Sequence, residues 1–594
     1  MCTHTRHEPI DSSAQLADKL AKAVESNETP PPEDLLSSLP VPDASNLPEI
    51  RVDSLHDDCE DDKGILRGEA DAAQSLVDHL KNSRQNSALS IPITWLNVNT
   101  VFVKLTVFCD TTGMSPVLRH CLPLLCEVAF KLPVQTESVV LSSADVIEAL
   151  QADTIGYGCN ASNASAALGV EFYVQSEREE ITTAGKWLRR LMFDSIFDKA
   201  ELKKAAGKML KEIPDYKRSS RTLAHALMAE ISFSESGSET NINSANFIRR
   251  ESYLERVMKS LEADDGVVIQ EMEECRRQLV KNLRVIVGTD LKEVGDCYAE
   301  VAKIFEGKID SVAKVGAPHE SLREYNYNQF PRKAQVMGLS GAENSTLMMC
   351  TRGVGAFDDD LPALLVVIEF LTALEGEFWV KIRGNGLSYS YNLSNNTSAK
   401  KLTFSLSKAA DPVKAIDAAK KIVMGFDDGT LAITETDLES TKSSLIFSIV
   451  SQASNKNDAA YMAKSYLFAG KEKYYNKNLM GKLLNVTKED ALEALRKYLV
   501  PMFEKNSSAL VAVTPLNKVD EIAKSLEGCV VLKEDELSSV FPPLCMALEG
   551  SESSAKKQKT NSNNGGGGAM MMNLDWTNVR ACDCPKCERP NKGM

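Results

Sequence analysis

Histidine is scarce in this sequence, and the few histidines stand far apart. The chain has 594 residues and seven histidines, at positions 4, 7, 56, 79, 120, 225 and 319. A catalytic zinc centre needs convergent imidazole, thiolate or carboxylate ligands, yet no H-E-x-x-H, H-x-x-E-H or H-x-E motif occurs. His4 and His7 stand beside Glu8, but their spacing fits none of these motifs. We therefore predict no catalytic residue, no metal ligand and no cofactor within this chain.

Two further signatures are missing, and the 14 cysteines are scattered apart from one cluster near the end of the sequence. There is no G-x-S-x-G nucleophile elbow, and the glycine run at 565–568 lacks the Lys-Ser/Thr of a phosphate-binding loop. Cys582, Cys584 and Cys587 could wrap a zinc ion, but a closed structural site needs four ligands and no histidine follows His319. The Ser-, Lys-, Asn- and Gly-rich composition predicts a disordered tail over 549–594, with an adventitious metal as the alternative.

Positive charge and long apolar runs are also lacking. Lys and Arg number 68 against 83 Asp and Glu, so the net charge is −15, which argues against a dedicated nucleic-acid binder. The longest apolar run, 361–374, contains Pro362 and Glu369 and is shorter than the ~20 residues that span a bilayer. The scattered cysteines are typical of a reducing compartment. We expect no membrane partner and a cytoplasmic location, with mitochondria as the alternative if a targeting segment precedes Met1.

The chain is too long for one hydrophobic core, and its composition divides it into four parts. Residues 1–90 are rich in proline and acidic residues, which predicts a flexible N-terminal arm or linker. Alternating strand-like and helical segments then predict α+β domains over 91–325 and 326–548, joined by a polar connector. The disordered tail completes the chain.

An internal repeat supports this partition. The run IGYGCNASN at 155–163 aligns without a gap on LSYSYNLSN at 387–395, an offset of 232 residues. The same offset carries the strand-like run 170–174 onto 402–406. Order, spacing and flanking helices agree, which predicts two homologous α+β domains, each a mostly antiparallel sheet packed with helices. Tyr157 and Tyr389 should then lie on equivalent strands.

The segment 376–391 carries the strongest candidate site. Its first part predicts a short helix on which Trp379 and Ile382 pack, leaving Arg383 at the C-terminal end. Gly384 and Gly386 permit a tight reversal into the strand that carries Tyr389. Arg383 and Tyr389 could therefore point to one side together. In the alternative interpretation both residues have structural roles: Arg383 is a cation that complements the helix dipole, and Tyr389 is a half-buried strand residue.

The run IRGNGLSYSY resembles the C-terminal-half signature of pitrilysin/insulysin-type, inverted-zincin metallopeptidases, closest to their presequence-protease-like branch. That resemblance covers roughly 90–548 and the C-terminal half of such enzymes only. It implies four homologous α+β domains around a closed chamber, with zinc and H-x-x-E-H in the first. It also implies that the last domain contributes an Arg, a glycine turn and a Tyr to the substrate site, here Arg383, Gly384, Gly386 and Tyr389.

The resemblance makes this chain the third- and fourth-domain-like half of a zinc metallopeptidase that degrades peptides. Because the chain lacks the zinc motif, we expect it to be inactive alone, with zinc in a missing N-terminal half. Its expected partners are peptide substrates and a zinc-bearing N-terminal half. The alternative is a non-catalytic homologue that binds peptides or acts as a scaffold.

Overall fold

The computed structural model describes most of the chain between residues 13 and 537. The described residues are 13–27, 50–58, 68, 72–85, 87, 90–161, 169–233, 241–309, 334–504, 507–526 and 528–537. Helix α1 belongs to one compact unit, and all later elements belong to another. Helices α1 to α20 are Ser13–Asn27, Gln74–Gln85, Pro116–Arg119, Leu122–Val128, Ser143–Asp153, Ile181–Arg189, Lys199–Arg218, Ser220–Phe233, Asn241–Ala245, Phe247–Ala263, Val267–Leu279, Cys297–Phe305, Leu361–Thr372, Pro412–Asp428, Glu435–Ser451, Lys456–Ala469, Tyr475–Leu484, Lys488–Ala494, Val500–Phe503 and Val519–Ser525. Strands β1 to β14 are Asp53–Asp57, Ile93–Asn97, Phe102–Asp110, Val134–Gln135, Val140–Leu141, Gly156–Ala161, Gly169–Glu177, Leu283–Thr289, Ala334–Leu339, Ser345–Arg352, Ser388–Asn396, Lys401–Ala409, Ala509–Pro515 and Val530–Leu532.

Twelve of these strands build two six-stranded sheets, which share the order of five strands, and β4 pairs with β5 in a separate two-stranded sheet. The first sheet runs β1-β2-β8-β3-β7-β6, and the second runs β14-β9-β13-β10-β12-β11. The sixth strands differ, because β1 precedes its sheet and pairs antiparallel with β2, whereas β14 follows its sheet and pairs parallel with β9. Both contain a parallel pair, β2 with β8 and β9 with β13, followed by antiparallel pairings out to β6 and β11. The predicted α+β duplication is confirmed. Tyr157 on β6 and Tyr389 on β11 occupy equivalent terminal strands, as the repeat predicted.

The two terminal hairpins nevertheless differ in register by two residues. Cys159 pairs with Phe172 in the first sheet, whereas Leu393 pairs with Phe404 in the second. The repeat offset would have placed Tyr391 opposite Phe404. Because side chains alternate with a period of two, a slip of two leaves every side chain on its original face. The duplication therefore preserves the buried face while it changes the pairing.

Each sheet is covered on one face by a helix from the other half of the chain. Helix α8 packs on β10 and β13 of the second sheet, and Ser220 Oγ lies 3.0 Å from Thr346 Oγ1 at its start. In return, Ala459 of α16 packs into a cluster on the first sheet. Next to it, Lys464 Nζ donates to Glu171 Oε2 over 2.7 Å. The segments 91–325 and 326–548 each supply strands of one sheet, but each sheet also packs against a helix from the other segment.

The prediction of a flexible arm over 1–90 is wrong for strand β1 and helix α2. Strand β1 pairs antiparallel with β2, and Leu55 at its centre is fully buried. The Tyr298 hydroxyl donates to Asp57 Oδ2 over 2.8 Å, and Arg84 of α2 forms an ion pair with the same carboxylate at 2.8 Å. These polar groups can be buried because they form hydrogen bonds with one another. The acidic composition indicated a linker, but one of these acidic residues, Asp57, is a buried hydrogen-bond acceptor.

Other predictions concern residues that lie outside the described part. These include the tail at 549–594 with Cys582, Cys584 and Cys587, and most of the connector between the two sheets. In the described part, no helix is both long enough and apolar enough to cross a bilayer.

Candidate functional site

A π-helical segment, Trp379–Gly384, carries Arg383 to the start of β11. Phe378 and Ile382 are fully buried beneath it, whereas Trp379 is only half-buried. The prediction that Trp379 packs with Ile382 is therefore wrong, and Phe378 takes that place. The wider π-turn, with its i to i+5 hydrogen bonds, brings residues four apart onto one face. Arg383, next in the chain after Ile382, is consequently exposed.

The segment ends in a Schellman turn at Gly386. The Gly386 N–H donates to the Arg383 carbonyl and the Leu387 N–H to the Ile382 carbonyl, both over 2.9 Å. This pair of hydrogen bonds requires a left-handed residue after the helix, and Gly386 has φ +68°. The turn thus fixes the path from Arg383 into β11.

Gly384 is less constrained than Gly386. A Cβ placed on Gly384 would meet only the Trp379 carbonyl oxygen at 3.6 Å, which is ordinary van der Waals contact. Of the two predicted glycines, Gly386 is therefore required by the backbone, whereas any role of Gly384 must come from a ligand or from local flexibility.

Arg383 and Tyr389 contact each other across this turn. The guanidinium carbon of Arg383 lies 5.1 Å from the centroid of the Tyr389 ring, and Lys408 Nζ lies 5.4 Å from the same centroid. Both distances are within cation–π range. The Tyr389 side chain is 62% exposed. Among the described residues, Arg383 forms no ion pair, so its N–H groups are available to a ligand.

Tyr391 follows Tyr389 by two residues on β11 and packs against the core. Its ring packs edge-on against Phe378 with centroids 5.9 Å apart. Burial raises the pKa of Tyr391, and the nearby positive charge of Arg383 opposes that rise. Buried aromatic contacts therefore anchor the base of β11 and leave the polar groups above it exposed.

The free edge of β11 adjoins the Arg383–Tyr389 pair. Within the described chain, β11 pairs with β12 on one side and forms the end of its sheet. Ser390, Asn392 and Ser394 are exposed along it. An unpaired strand edge presents backbone N–H and C=O groups that can pair with an extended peptide. The site thus combines hydrogen-bond donors that can bind a peptide carbonyl with a strand edge that can pair with a peptide backbone.

The first half of the chain has no equivalent pair. At the repeat offset, Gln151 corresponds to Arg383 and Thr154 to Gly386. Tyr157 is half-buried and packs against Phe130 with ring centroids 5.0 Å apart. The same fold is therefore built without an exposed Arg–Tyr pair, so the architecture alone does not require one.

The structure places Arg383, Gly384 and Gly386 in one turn, with Tyr389 next to it at the start of β11. Sequence reasoning missed Lys408, whose cation flanks Tyr389 from the neighbouring strand, and Phe378, which supports the turn. Lys408 adopts φ +52°, which sequence patterns do not reveal for a non-glycine residue. The alternating pattern of β12 could have predicted that Lys408 lies near the hairpin, but not that its ammonium group lies over the Tyr389 ring.

The described residues do not fit a zinc centre. They contain no group of three or more His, Cys, Asp or Glu side chains placed to hold a metal ion. No step of a reaction is therefore assigned to a metal bound by this chain.

No protein-family model matches the sequence. It is 22% identical over 452 residues to the uncharacterized protein C3H1.02c of Schizosaccharomyces pombe, covering 72% of this chain and 42% of that protein. It is also 22% identical over 450 residues to the uncharacterized protein C05D11.1 of Caenorhabditis elegans, covering 74% of this chain and 44% of that protein. The chain thus spans less than half the length of the curated relatives it matches.

Solved structures share the fold. A conserved protein from Enterococcus faecalis superposes with a TM-score of 0.54 at 13% identity, covering 72% of this chain and 97% of that one. A protease from Helicobacter pylori gives 0.52 at 13% identity, with coverage of 72% and 98%. A peptidase M16 inactive domain from Pseudomonas fluorescens gives 0.52 at 14% identity, with coverage of 72% and 96%. The chain shares its fold with these three proteins.

Proposed function

We propose that this chain is the C-terminal half of a zinc metallopeptidase that degrades peptides in a closed chamber. The observation that carries the proposal is the exposed Arg383–Tyr389 pair, which the first copy of the duplicated fold lacks. The shared fold of a protease from Helicobacter pylori and a peptidase M16 inactive domain from Pseudomonas fluorescens supports it. The sequence resemblance further favours the presequence-protease-like branch.

Arg383 and Tyr389 have the chemistry to hold a peptide carbonyl. The Arg383 guanidinium stays charged at working pH and can donate several hydrogen bonds to an oxygen. The Tyr389 phenol supplies a further donor, whose hydrogen bond strengthens as the carbonyl oxygen gains negative charge. Gly386 sets the turn that brings both groups together, and Gly384 leaves room beside them for the substrate.

This half supplies binding and orientation in the proposed enzyme. Zinc would belong to the N-terminal half, and the two halves would close around the peptide. The net charge of −15 favours basic peptides as substrates. We place this activity in the cytoplasm, with mitochondria as the alternative, and we assign the site to the domain at 326–548.

The second candidate function is a non-catalytic peptide-binding or scaffold protein. It is favoured by the lack of a metal-ligand group among the described residues and by the fold shared with the peptidase M16 inactive domain from Pseudomonas fluorescens. In that case Arg383 and Tyr389 would hold a peptide without contributing to its hydrolysis.

A reconstitution experiment tests the proposed function. The chain is combined with a zinc-bearing N-terminal half from a relative, and hydrolysis of fluorogenic peptides is measured for wild type, Arg383→Ala and Tyr389→Phe. Loss of one transition-state donor should lower turnover by ~10²–10³-fold. Lys381→Ala is the matched control, because Lys381 is an exposed cation on the same π-helical segment.

The melting temperature of every variant is measured alongside turnover. Lost turnover with unchanged melting supports the peptidase half. Peptide binding that needs Arg383, without turnover in any combination of halves, supports the scaffold instead. Turnover that is unaffected by either variant means that the pair is structural.

A further inference from the structure

Two thiols meet at the end of the first sheet. Cys126 Sγ on α4 lies 3.4 Å from Cys159 Sγ on β6, and both cysteines are free thiols. Both residues are half-buried and pack against the edge of the first core. The contact joins a helix to the terminal strand of the sheet, and it lies in a different half of the chain from Arg383.

More thiols surround this pair. Cys109, Cys121 and Cys275 are buried in the same core. Cys109 and Cys275 both lie close enough to Cys159 to influence its ionisation. The described residues offer no group of three or more side chains that could hold a metal here. The chemistry left to such closely spaced thiols is sulfur–sulfur bond formation.

Strand β6 is the weaker of the two equivalent terminal strands. Its described part includes Gly156 and Gly158, whereas β11 contains no glycine. A Cβ on Gly158 would lie 2.5 Å from the Tyr173 ring, so the ring occupies the place of a side chain. Glycine in a strand interior costs entropy and contributes no packing. A covalent link from β6 to α4 would therefore stabilise a locally weak element.

The strand pairing adds a comparison at the same position. Cys159 pairs with Phe172, and in the second sheet Leu393 pairs with the equivalent Phe404. Leu393 is a buried apolar residue there. The first sheet instead has a thiol that meets a second thiol, and the two form a strong tie only when they are bonded to each other.

We propose that Cys126 and Cys159 form a reversible oxidation site, at which a disulfide ties β6 to α4. The sulfur atoms must close from 3.4 Å to about 2.05 Å, which rotation of two short side chains can supply. The oxidant we name is a low-molecular-weight disulfide such as oxidised glutathione. A thiol reductant reverses the reaction.

The exchange takes two balanced steps. The Cys126 thiolate attacks one sulfur of the small disulfide, forms a mixed disulfide and releases one small thiolate. The Cys159 thiolate then attacks Cys126 Sγ, forms the internal disulfide and releases the second thiolate. The two thiolates take up the two protons lost by the cysteines, so the protein is oxidised by two electrons and the small disulfide is reduced. Burial raises the pKa of Cys159 and so lowers its thiolate fraction, but the second step is intramolecular, with the mixed disulfide already beside Cys159.

The test equilibrates the full chain in glutathione redox buffers, quenches it with acid, alkylates free thiols and maps the peptides by mass spectrometry. We expect a Cys126–Cys159 cross-linked peptide about 2 Da lighter than its two reduced parts, lost again on reduction. Cys159→Ser should leave Cys126 as a stable mixed disulfide. The matched control is Cys529→Ser, since Cys529 is half-buried in the other sheet's half of the chain and should not affect the link.

Three results would overturn the proposal. These are recovery of both cysteines as free thiols in the most oxidising buffer, mixed disulfides without the internal link in the wild type, and cross-links of Cys126 or Cys159 to other cysteines. Amide hydrogen exchange supplies a second measurement. Oxidation should slow exchange of the β6 amides in the wild type and not in Cys159→Ser, and unchanged exchange would refute the tie between β6 and α4.

Discussion

The Arg383 guanidinium lies over the exposed face of the Tyr389 ring, with 5.1 Å between the guanidinium carbon and the ring centroid. A cation–π contact at an exposed site contributes about 0.5–1 kcal/mol. Such a contact orients the two side chains without burying either of them. It therefore keeps the guanidinium N–H groups and the phenol available to a ligand, which a purely structural pair would not need.

This arrangement predicts a small effect on stability. Arg383→Ala and Tyr389→Leu should each lower the free energy of unfolding by less than about 1 kcal/mol, and the double-mutant cycle should give a coupling of about 0.5–1 kcal/mol. Denaturant unfolding of the four proteins measures both quantities. A loss of several kcal/mol for either single variant would contradict the view that these residues serve a ligand.

The two glycines of the turn should respond differently to substitution. Gly386→Ala places a Cβ at φ +68°, and left-handed backbone costs a non-glycine residue about 1–2 kcal/mol. Gly384→Ala has no such strain and should change the free energy of unfolding by less than about 0.5 kcal/mol. Comparison of the two variants by denaturant unfolding checks this. Equal losses would mean that the turn does not need its left-handed residue.

Strand β1 should behave as part of the core. Leu55→Ala removes a fully buried side chain between β2 and the helices, and such truncations cost about 2–5 kcal/mol. Ser54→Ala, at the neighbouring half-buried position, is the control and should change little. Thermal and denaturant unfolding measure the difference. A loss below about 0.5 kcal/mol for Leu55→Ala would restore the idea of a flexible arm.

Structural features that repeat along the chain could be predicted from the sequence, whereas features that depend on partners distant in sequence could not. The offset of 232 residues was enough to predict equivalent strands for Tyr157 and Tyr389, because duplicated units keep their pattern of alternation. Strand β1 has one large apolar residue, Leu55, and its pattern is otherwise polar. Its burial depends on partners such as Tyr298, which lies 241 residues from Asp57. No local pattern carries that information.

The candidate site shows the same division. Arg383, Gly386 and Tyr389 are local in sequence, so the turn could be predicted from glycine placement alone. The π-helical turn could not, since it moves Phe378 rather than Trp379 into the core. The sequence also did not predict that α8 packs on the second sheet and α16 on the first. Amphipathic helices show that they are buried, but not which sheet they cover.

His120 predicts a pH dependence of stability. Its side chain is buried, and its ring centroid lies 6.1 Å from that of Tyr253. Burial, aided by the positive charges of Arg249 and Arg256, lowers the pKa of His120 to about 4. An unfolded histidine has a pKa of about 6.5. Below that value the unfolded state binds more protons than the folded state, so the free energy of unfolding must fall as the pH falls.

The loss from His120 should begin near pH 6.5, reach about 2 kcal/mol at pH 5 and approach about 3 kcal/mol below pH 4. Burial also lowers the pKa of His225, whose contribution has the same sign. We therefore compare His120→Phe with the wild type and with His225→Phe by urea unfolding between pH 7 and pH 5, where most carboxylates stay ionised. Because phenylalanine does not titrate, His120→Phe should lose most of the slope, whereas His225→Phe should lose less. A wild-type slope that survives in His120→Phe would show that the ring is protonated in the folded state, and that the buried cluster of Arg249, Tyr253 and Arg256 tolerates a third positive charge.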